Sequence, residues 1–290
     1  MSSRVRKNST RTLRERSEPG AHAPSSPKPR GWGPAALLHS KMIFRAAGAL
    51  LLMTLAAVLM LAISVVTLFQ ARRFCAEVVG RSLGQVLLRL YGLKLVVHQD
   101  RSFPTSQTIY VANHTSTLDL FILIALGLPN TRFFMKRKYL LVPPLGILSW
   151  LLGTFFTPPQ SMPEKRVRCF EAAERALRRS AESAFLSPEG TRVTSGEIGP
   201  FNKGAFHLAT VLRAPIVPLF IEIPPDSNPG KGFDARPGTI ELTVHAPIET
   251  AGWRLDELEA NRNAVRERFV GYLAAAAARG TRTESLVSSA

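Results

Sequence analysis

From Ala46 to Ala71 the chain carries no charged residue, reading AAGALLLMTLAAVLMLAISVVTLFQA. That run exceeds the ~20 apolar residues a helix needs to cross a bilayer core. It is too long for the apolar part of a secretory signal, and no small-residue cleavage site precedes Arg72. A membrane-embedded helix is the expectation. Lys41 and Arg45 stand before it and Arg72 and Arg73 after it. The positive-inside rule puts the heavier N-terminal tail in the cytoplasm. Two topologies follow. A single span would carry the rest of the chain across. A re-entrant or interfacial helical hairpin, broken near Gly48 or at Ala62-Ile63-Ser64, would keep both ends on the cytoplasmic side.

The run also sets the domain plan. Residues 1–40 are rich in Ser, Arg, Pro and Gly and read as a disordered basic tail. Residues 41–92 form a membrane-embedded and interfacial helical segment, residues 93–280 one α/β domain, and residues 281–290 a flexible tail. The formal net charge is +16, and the first 45 residues hold ten Lys/Arg against two Glu. Such a charge favours acidic lipid headgroups or nucleic acid; with a membrane segment present, lipids are the expected partner and nucleic acid is not. Cys75 and Cys169 are the only cysteines, which excludes a disulfide framework and a cysteine-based zinc site. No metal is expected.

Beyond the apolar run, residues 73–92 form an amphipathic segment that lies at the membrane interface or packs on the domain. Strand and helix patterns then alternate. Strands are expected at 93–98, 108–112, 132–135, 184–186, 216–223 and 239–245. Helices are expected at 116–126, 163–179, 203–212 and 255–278, with a Pro/Gly-rich loop at 224–237. This alternation argues for a mixed central sheet covered by helices. Residues 139–156 form a second uncharged stretch, broken by Pro143-Pro144 and Gly146. Pro-Pro disfavours one continuous span, so a helix against the membrane, or one lining a channel for an apolar substrate, is preferred.

The chemistry gathers in two short blocks. Asn113-His114-Thr115-Ser116-Thr117-Leu118-Asp119 follows the 108–112 strand, and among six histidines only His114 has an acid five residues on. With Asn113 or Thr115 capping the next helix, the macrodipole would keep the imidazole neutral, as a general base requires. Asp119 could fix its tautomer and stabilise the charge that develops, the base-and-orienter half of a hydrolase triad. Ser187-Pro188-Glu189-Gly190-Thr191-Arg192 follows another strand and offers backbone N–H groups and a guanidinium suited to phosphate. Lys203, at the start of a helix, adds positive potential.

These blocks, in this order, resemble the glycerolipid acyltransferases typified by 1-acyl-sn-glycerol-3-phosphate acyltransferase. The matching residues are Asn113, His114, Ser116 and Asp119; Pro188 to Arg192; Phe201, Lys203, Gly204, Ala205 and Phe206; and Ala214-Pro215-Ile216-Val217-Pro218-Leu219. The resemblance covers roughly Tyr110 to Ile221. It implies transfer of an acyl chain from acyl-CoA or acyl-carrier protein to the hydroxyl of a lysophospholipid, without a metal or tightly bound cofactor. His114 would take the hydroxyl proton and Asp119 would hold His114. Arg192 and Lys203 would bind the acceptor phosphate, with Glu189, Gly190 and Thr191 shaping that loop. The implied location is a cytoplasmic or inner membrane with the site facing the cytoplasm. One block departs from the family. Gly153-Thr154-Phe155-Phe156 runs into Thr157-Pro158-Pro159-Gln160, where the family carries an acidic residue and an arginine. Lys136, Arg137 or Lys138 would then supply the missing cation, and another lyso-lipid, such as a lyso-aminolipid, becomes an alternative acceptor. Two rivals stand beside this reading. One is a hydrolase of the same lipids using Ser116; the other is a membrane-tethered basic binding protein.

Overall fold

The computed structural model describes residues 34–288, with side chains from 41 to 279. Most of the basic tail and the last two residues lie outside the described residues. A seven-stranded sheet forms the centre, in the order β1-β7-β6-β2-β5-β3-β4. Its strands are β1 Leu93–Gln99, β2 Ile109–Ala112, β3 Thr131–Lys136, β4 Phe155–Thr157, β5 Ser183–Leu186, β6 Ile216–Glu222 and β7 Gly238–Val244. Only the β6–β7 pair is antiparallel.

Every residue of β2 and β5 is buried. This is why they read as continuous apolar runs rather than as alternation: helices cover both faces. Tyr110, Ala112 and Phe185 point to one side, into a core with Leu87 of α3 (Arg81–Leu90) and Ile122 of α4 (Asp119–Leu126). Ile109, Val111 and Ala184 point to the other side. They meet Leu177 of α6 (Pro163–Ser180), Phe206 of α7 (Gly204–Leu212) and Phe269 of α8 (Leu258–Ser288). Because β2 and β5 are parallel neighbours, their C-terminal ends open side by side. α4 leaves one over one face and α7 follows the other over the opposite face. Such a switch point makes a crevice at the sheet edge.

The apolar run forms one helix, α1 (Pro34–Val66), unbroken at Gly48 and at Ala62-Ile63-Ser64. The internal break that a hairpin within the run would need is therefore absent. Reversal comes later, at residues 67–71, where Leu68 and Phe69 take left-handed backbone conformations. The chain returns through α2 (Arg72–Phe74), a π-helical stretch Cys75–Gly80, and α3. Gly84 of α3 lies so close to α4 that a Cβ there would stand 2.6 Å from the Ala125 amide nitrogen. Arg72 pairs with the buried Glu182, which also faces Arg132 of β3 at 3.9 Å. The hairpin is thus tied to the domain while α1 keeps Leu51, Leu55, Val58 and Val66 exposed.

The second uncharged stretch is a 3₁₀ turn (Arg137–Leu141), the short helix α5 (Leu145–Leu151) and β4, a strand absent from the sequence reading. Seven helical residues reach only ~10 Å, too short to span. α5 packs on α1 instead.

Candidate active site

The site grows from the way β2 ends. Asn113, which sequence placed as a cap, faces β6: its Nδ2 donates to the Ile221 carbonyl (2.9 Å) and its Oδ1 accepts from the Ile221 amide (2.8 Å). Nor does α4 start at Ser116. It starts at Asp119, with no side-chain cap, so His114 stands five residues ahead of the helix. The expected macrodipole effect is replaced by a direct contact. His114 Nδ1 lies 2.7 Å from Asp119 Oδ2, and the same oxygen accepts from the amides of Thr115 (2.9 Å) and Ser116 (3.0 Å).

Three donors converge on one carboxylate oxygen of a side chain that is 2% exposed, whereas the His114 side chain is 30% exposed. The Asp119 contact orients the ring and fixes which ring nitrogen carries hydrogen. Among the described residues Nε2 of His114 has no hydrogen-bond partner. That leaves an oriented imidazole with one nitrogen open, as proton abstraction requires. Ser116 is fully buried, its Oγ accepting from the Leu118 amide at 3.1 Å, so it cannot meet a substrate. The sequence Gly80-Arg81-Ser82-Leu83-Gly84 spells the Gly-x-Ser-x-Gly pattern. It lies inside the helix running from Cys75 to Leu90, not on the strand-to-helix turn that exposes a hydrolase nucleophile.

The loop after β5 closes on this turn. Glu189 is buried and bridges two backbones, its Oε2 accepting from the His114 amide (2.6 Å) and its Oε1 from the Gly199 amide (2.8 Å). Burial pushes the Glu189 carboxyl up, although both amides and His114 draw it down. The Val193 amide donates to the His114 carbonyl at 2.8 Å. Gly190 takes φ +67°, with Asn202 Nδ2 where a Cβ would fall. Thr191 is exposed.

Arg192 donates to Thr117 Oγ1 and, at 3.3 Å, to the Tyr139 hydroxyl. Partial desolvation holds the Lys136 ammonium below the usual lysine range, and Lys138, Arg192 and Arg166 push it the same way. Lys138 Nζ stands 5.1 Å from the centre of the Tyr139 ring, whose hydroxyl accepts from Arg192, so these cations gather in a group around one side chain, three residues on from Lys136. Lys203 is not shown in that group; its ammonium pairs with Glu259 of α8 at 3.2 Å.

Sequence reasoning placed the 224–237 loop but not its part in the site. The Gly230 carbonyl accepts from both the amide (2.8 Å) and the hydroxyl (3.2 Å) of Thr117, so this loop borders the site. Its only sequence signal is Asn228, whose Oδ1 accepts from the Gly230 amide as Asx turns do. The 139–156 stretch, expected to lie against the membrane or to line a channel for an apolar substrate, contributes α5 to an apolar cavity of about 60 Å³ bounded also by α1, α3, α4 and β3. Met60, Gly84, Phe121, Ile124 and Leu148 line it, and Met135 brings it within one residue of Lys136.

Residues 94–222 match the family described as Acyltransferase. The chain is similar to glycerolipid acyltransferases named 1-acyl-sn-glycerol-3-phosphate acyltransferase. It is 31% identical over 182 residues to 1-acyl-sn-glycerol-3-phosphate acyltransferase alpha of Ovis aries, covering 62% of this chain and 63% of that one. It is 28% identical over 196 residues to the Limnanthes alba enzyme of the same name, covering 68% and 69%. With the Cocos nucifera enzyme it shares 26% identity over 194 residues, 67% of this chain and 62% of that one. The chain thus spans about two thirds of the length of these relatives, and in two of the three slightly less. Its fold matches the crystal structure of the 1-acyl-sn-glycerophosphate (LPA) acyltransferase PlsC from Thermotoga maritima. The TM-score is 0.63 at 21% identity, covering 82% of this chain and 96% of that one.

Proposed function

We propose that this chain transfers a fatty acyl group from an acyl thioester to the free hydroxyl of a lysophospholipid, with 1-acyl-glycerol-3-phosphate giving phosphatidate as the leading reaction. The observation that carries this is His114, held by Asp119 at 2.7 Å with its other nitrogen open, on the turn whose Thr117 hydroxyl accepts from Arg192. The acceptor hydroxyl gives its proton to Nε2 as its oxygen bonds to the thioester carbonyl carbon. The tetrahedral intermediate then expels the thiolate, which takes the proton back from the imidazolium. Asp119 stabilises that imidazolium and does not itself take the proton.

Arg192, Lys136 and Lys138 hold the acceptor phosphate, and Lys203 is left to its pair with Glu259. The apolar cavity beside Met135 receives acyl carbons. No cofactor is required. The exposed outer face of α1 lies in a membrane, and the return through α3 favours an interfacial hairpin with the site facing the cytoplasm. The names of the Ovis aries and Limnanthes alba relatives support this acceptor. The test is a panel of lyso-lipid acceptors with palmitoyl-CoA, scored by product and by free fatty acid. His114→Ala should lower transfer by at least ~10²-fold. Near-normal turnover in that variant, or fatty acid as the main product, would sink the proposal.

A further inference from the structure

α6 carries six Lys/Arg against three Glu. Arg166 donates to the Pro158 carbonyl (3.0 Å), and Arg178 pairs with Glu174 (2.9 Å) and donates to the Val211 carbonyl (2.8 Å). The other four, Lys165, Arg168, Arg175 and Arg179, are exposed and make no ion pair with any described residue. Their spacing of three, seven and four residues puts them on one side of the helix. Glu164 and Glu171 flank the stripe without pairing to it. At 1.5 Å per residue the stripe is about 21 Å long.

Its placement is specific. β4 is parallel to β3, β3 to β5 and β5 to β2, so the C-terminal end of β4 lies at the same sheet end as His114. α6 begins six residues after β4, and Arg166 there acts electrostatically on Lys136. The stripe therefore starts at the phosphate-binding cations and leads outward. It also lies on the face of the sheet opposite α1: α6 packs on α7 in the core that α8 shares, whereas α1 packs on α3 in the core that α4 shares. A bilayer that takes up the exposed flank of α1 is not the surface this stripe faces. The partner must arrive from water, and it must be acidic over a length that a single pyrophosphate does not fill.

We infer that the Lys165–Arg168–Arg175–Arg179 stripe is the docking surface for an acidic acyl-carrier protein that delivers the thioester from the aqueous side. This rests on the acyl-transfer reading above and names its donor. Charge complementarity of this kind acts on encounter rate and partner choice and is weakened by salt. Glutamine keeps helix propensity close to that of Lys and Arg, so the four-fold variant K165Q/R168Q/R175Q/R179Q should fold normally.

Binding of holo acyl-carrier protein by the full chain is measured by fluorescence anisotropy at low and at 0.5 M salt. KM is measured for palmitoyl acyl-carrier protein and for palmitoyl-CoA, and binding to phosphatidylglycerol vesicles is measured by flotation. The expected results are salt-sensitive carrier binding that weakens at least about five-fold in the variant, a matching rise in KM for the carrier donor, and less than about two-fold change for palmitoyl-CoA, kcat and flotation. Absence of carrier binding by the unaltered chain overturns the inference, as do equal changes for both donors or loss of flotation alone. Turnover of palmitoyl-CoA without carrier binding would remove the docking site and leave the acyl-transfer reading standing. Carrier binding without turnover of either donor would do the reverse.

Discussion

Replacing Asp119 by Asn isolates the part of the site that is electrostatic. The side chain keeps its shape, and its amide oxygen can occupy the Oδ2 position and accept from His114, Thr115 and Ser116 as before. Its NH₂ then falls where Oδ1 lies buried without a partner, so no new clash with a donor arises. What disappears is the negative charge 2.7 Å from the ring that becomes an imidazolium. Two unit charges ~4 Å apart, at the effective dielectric of about 20 that suits protein sites, interact by about 4 kcal/mol. At 1.36 kcal/mol per decade this is about a thousand-fold in rate. The assay is thiol release from palmitoyl-CoA with lysophosphatidate as acceptor. kcat should fall ~10²- to 10³-fold, while the unfolding midpoint moves little because the three hydrogen bonds survive. A fall of less than about five-fold would show that Asp119 only shapes the turn and that the imidazolium is not formed in the slow step.

Arg192→Ala should chiefly raise KM for the phosphorylated acceptor. Thr117→Val and Tyr139→Phe, which each remove one anchor of that guanidinium, should do so by about three- to ten-fold with kcat nearly kept; equal loss with an uncharged alcohol acceptor would count against the phosphate role. Glu189→Gln leaves one oxygen for two backbone donors, so either the His114 or the Gly199 amide loses its acceptor, and stability should drop by about 1–3 kcal/mol in denaturant titrations. Burial raises the folded-state carboxyl of Glu189, so this group's contribution to stability shrinks as pH rises above its unfolded value near 4.5; the Gln variant should lose that downward slope. His245 is stacked on Tyr272 at 3.5 Å between ring centroids, and burial together with Arg279 lowers its titration below 6.5. Unfolding midpoints at pH 7.5 and 5.5 should show stability lost in acid, as the unfolded chain takes up the proton more readily, and His245→Phe should reduce that loss.

The residues that announce themselves are those whose surroundings are local. Burial of β2 and β5 on both faces makes their apolar runs visible, and His114 and Asp119 lie five residues apart on one turn. The boundaries fail where a side chain bonds across the fold. Asn113 and Thr115 look like caps because such residues usually bond nearby backbone, yet Asn113 reaches Ile221, a partner 108 positions away. Lys203 reads as an anion ligand because its helix start is visible and Glu259, 56 positions on, is not. Gly230 is silent in the sequence because its part in the site is a carbonyl. β4 is hidden at the end of the 139–156 stretch, where uniform hydrophobicity carries no period to separate strand from helix.

Asn113 has a wider consequence. Its side-chain amide presents a donor and an acceptor to Ile221 in place of a peptide group, so β6 keeps its hydrogen bonds while the main chain of β2 has already turned away. Aspartate lacks the donor, leucine lacks both, and glutamine sets the amide one methylene too far out. Anyone grafting the His114–Asp119 pair onto another parallel sheet must therefore transplant an asparagine and a neighbouring strand with it. Without that imitation rung the host strand would continue, and the histidine would point along the pleat instead of out of its end.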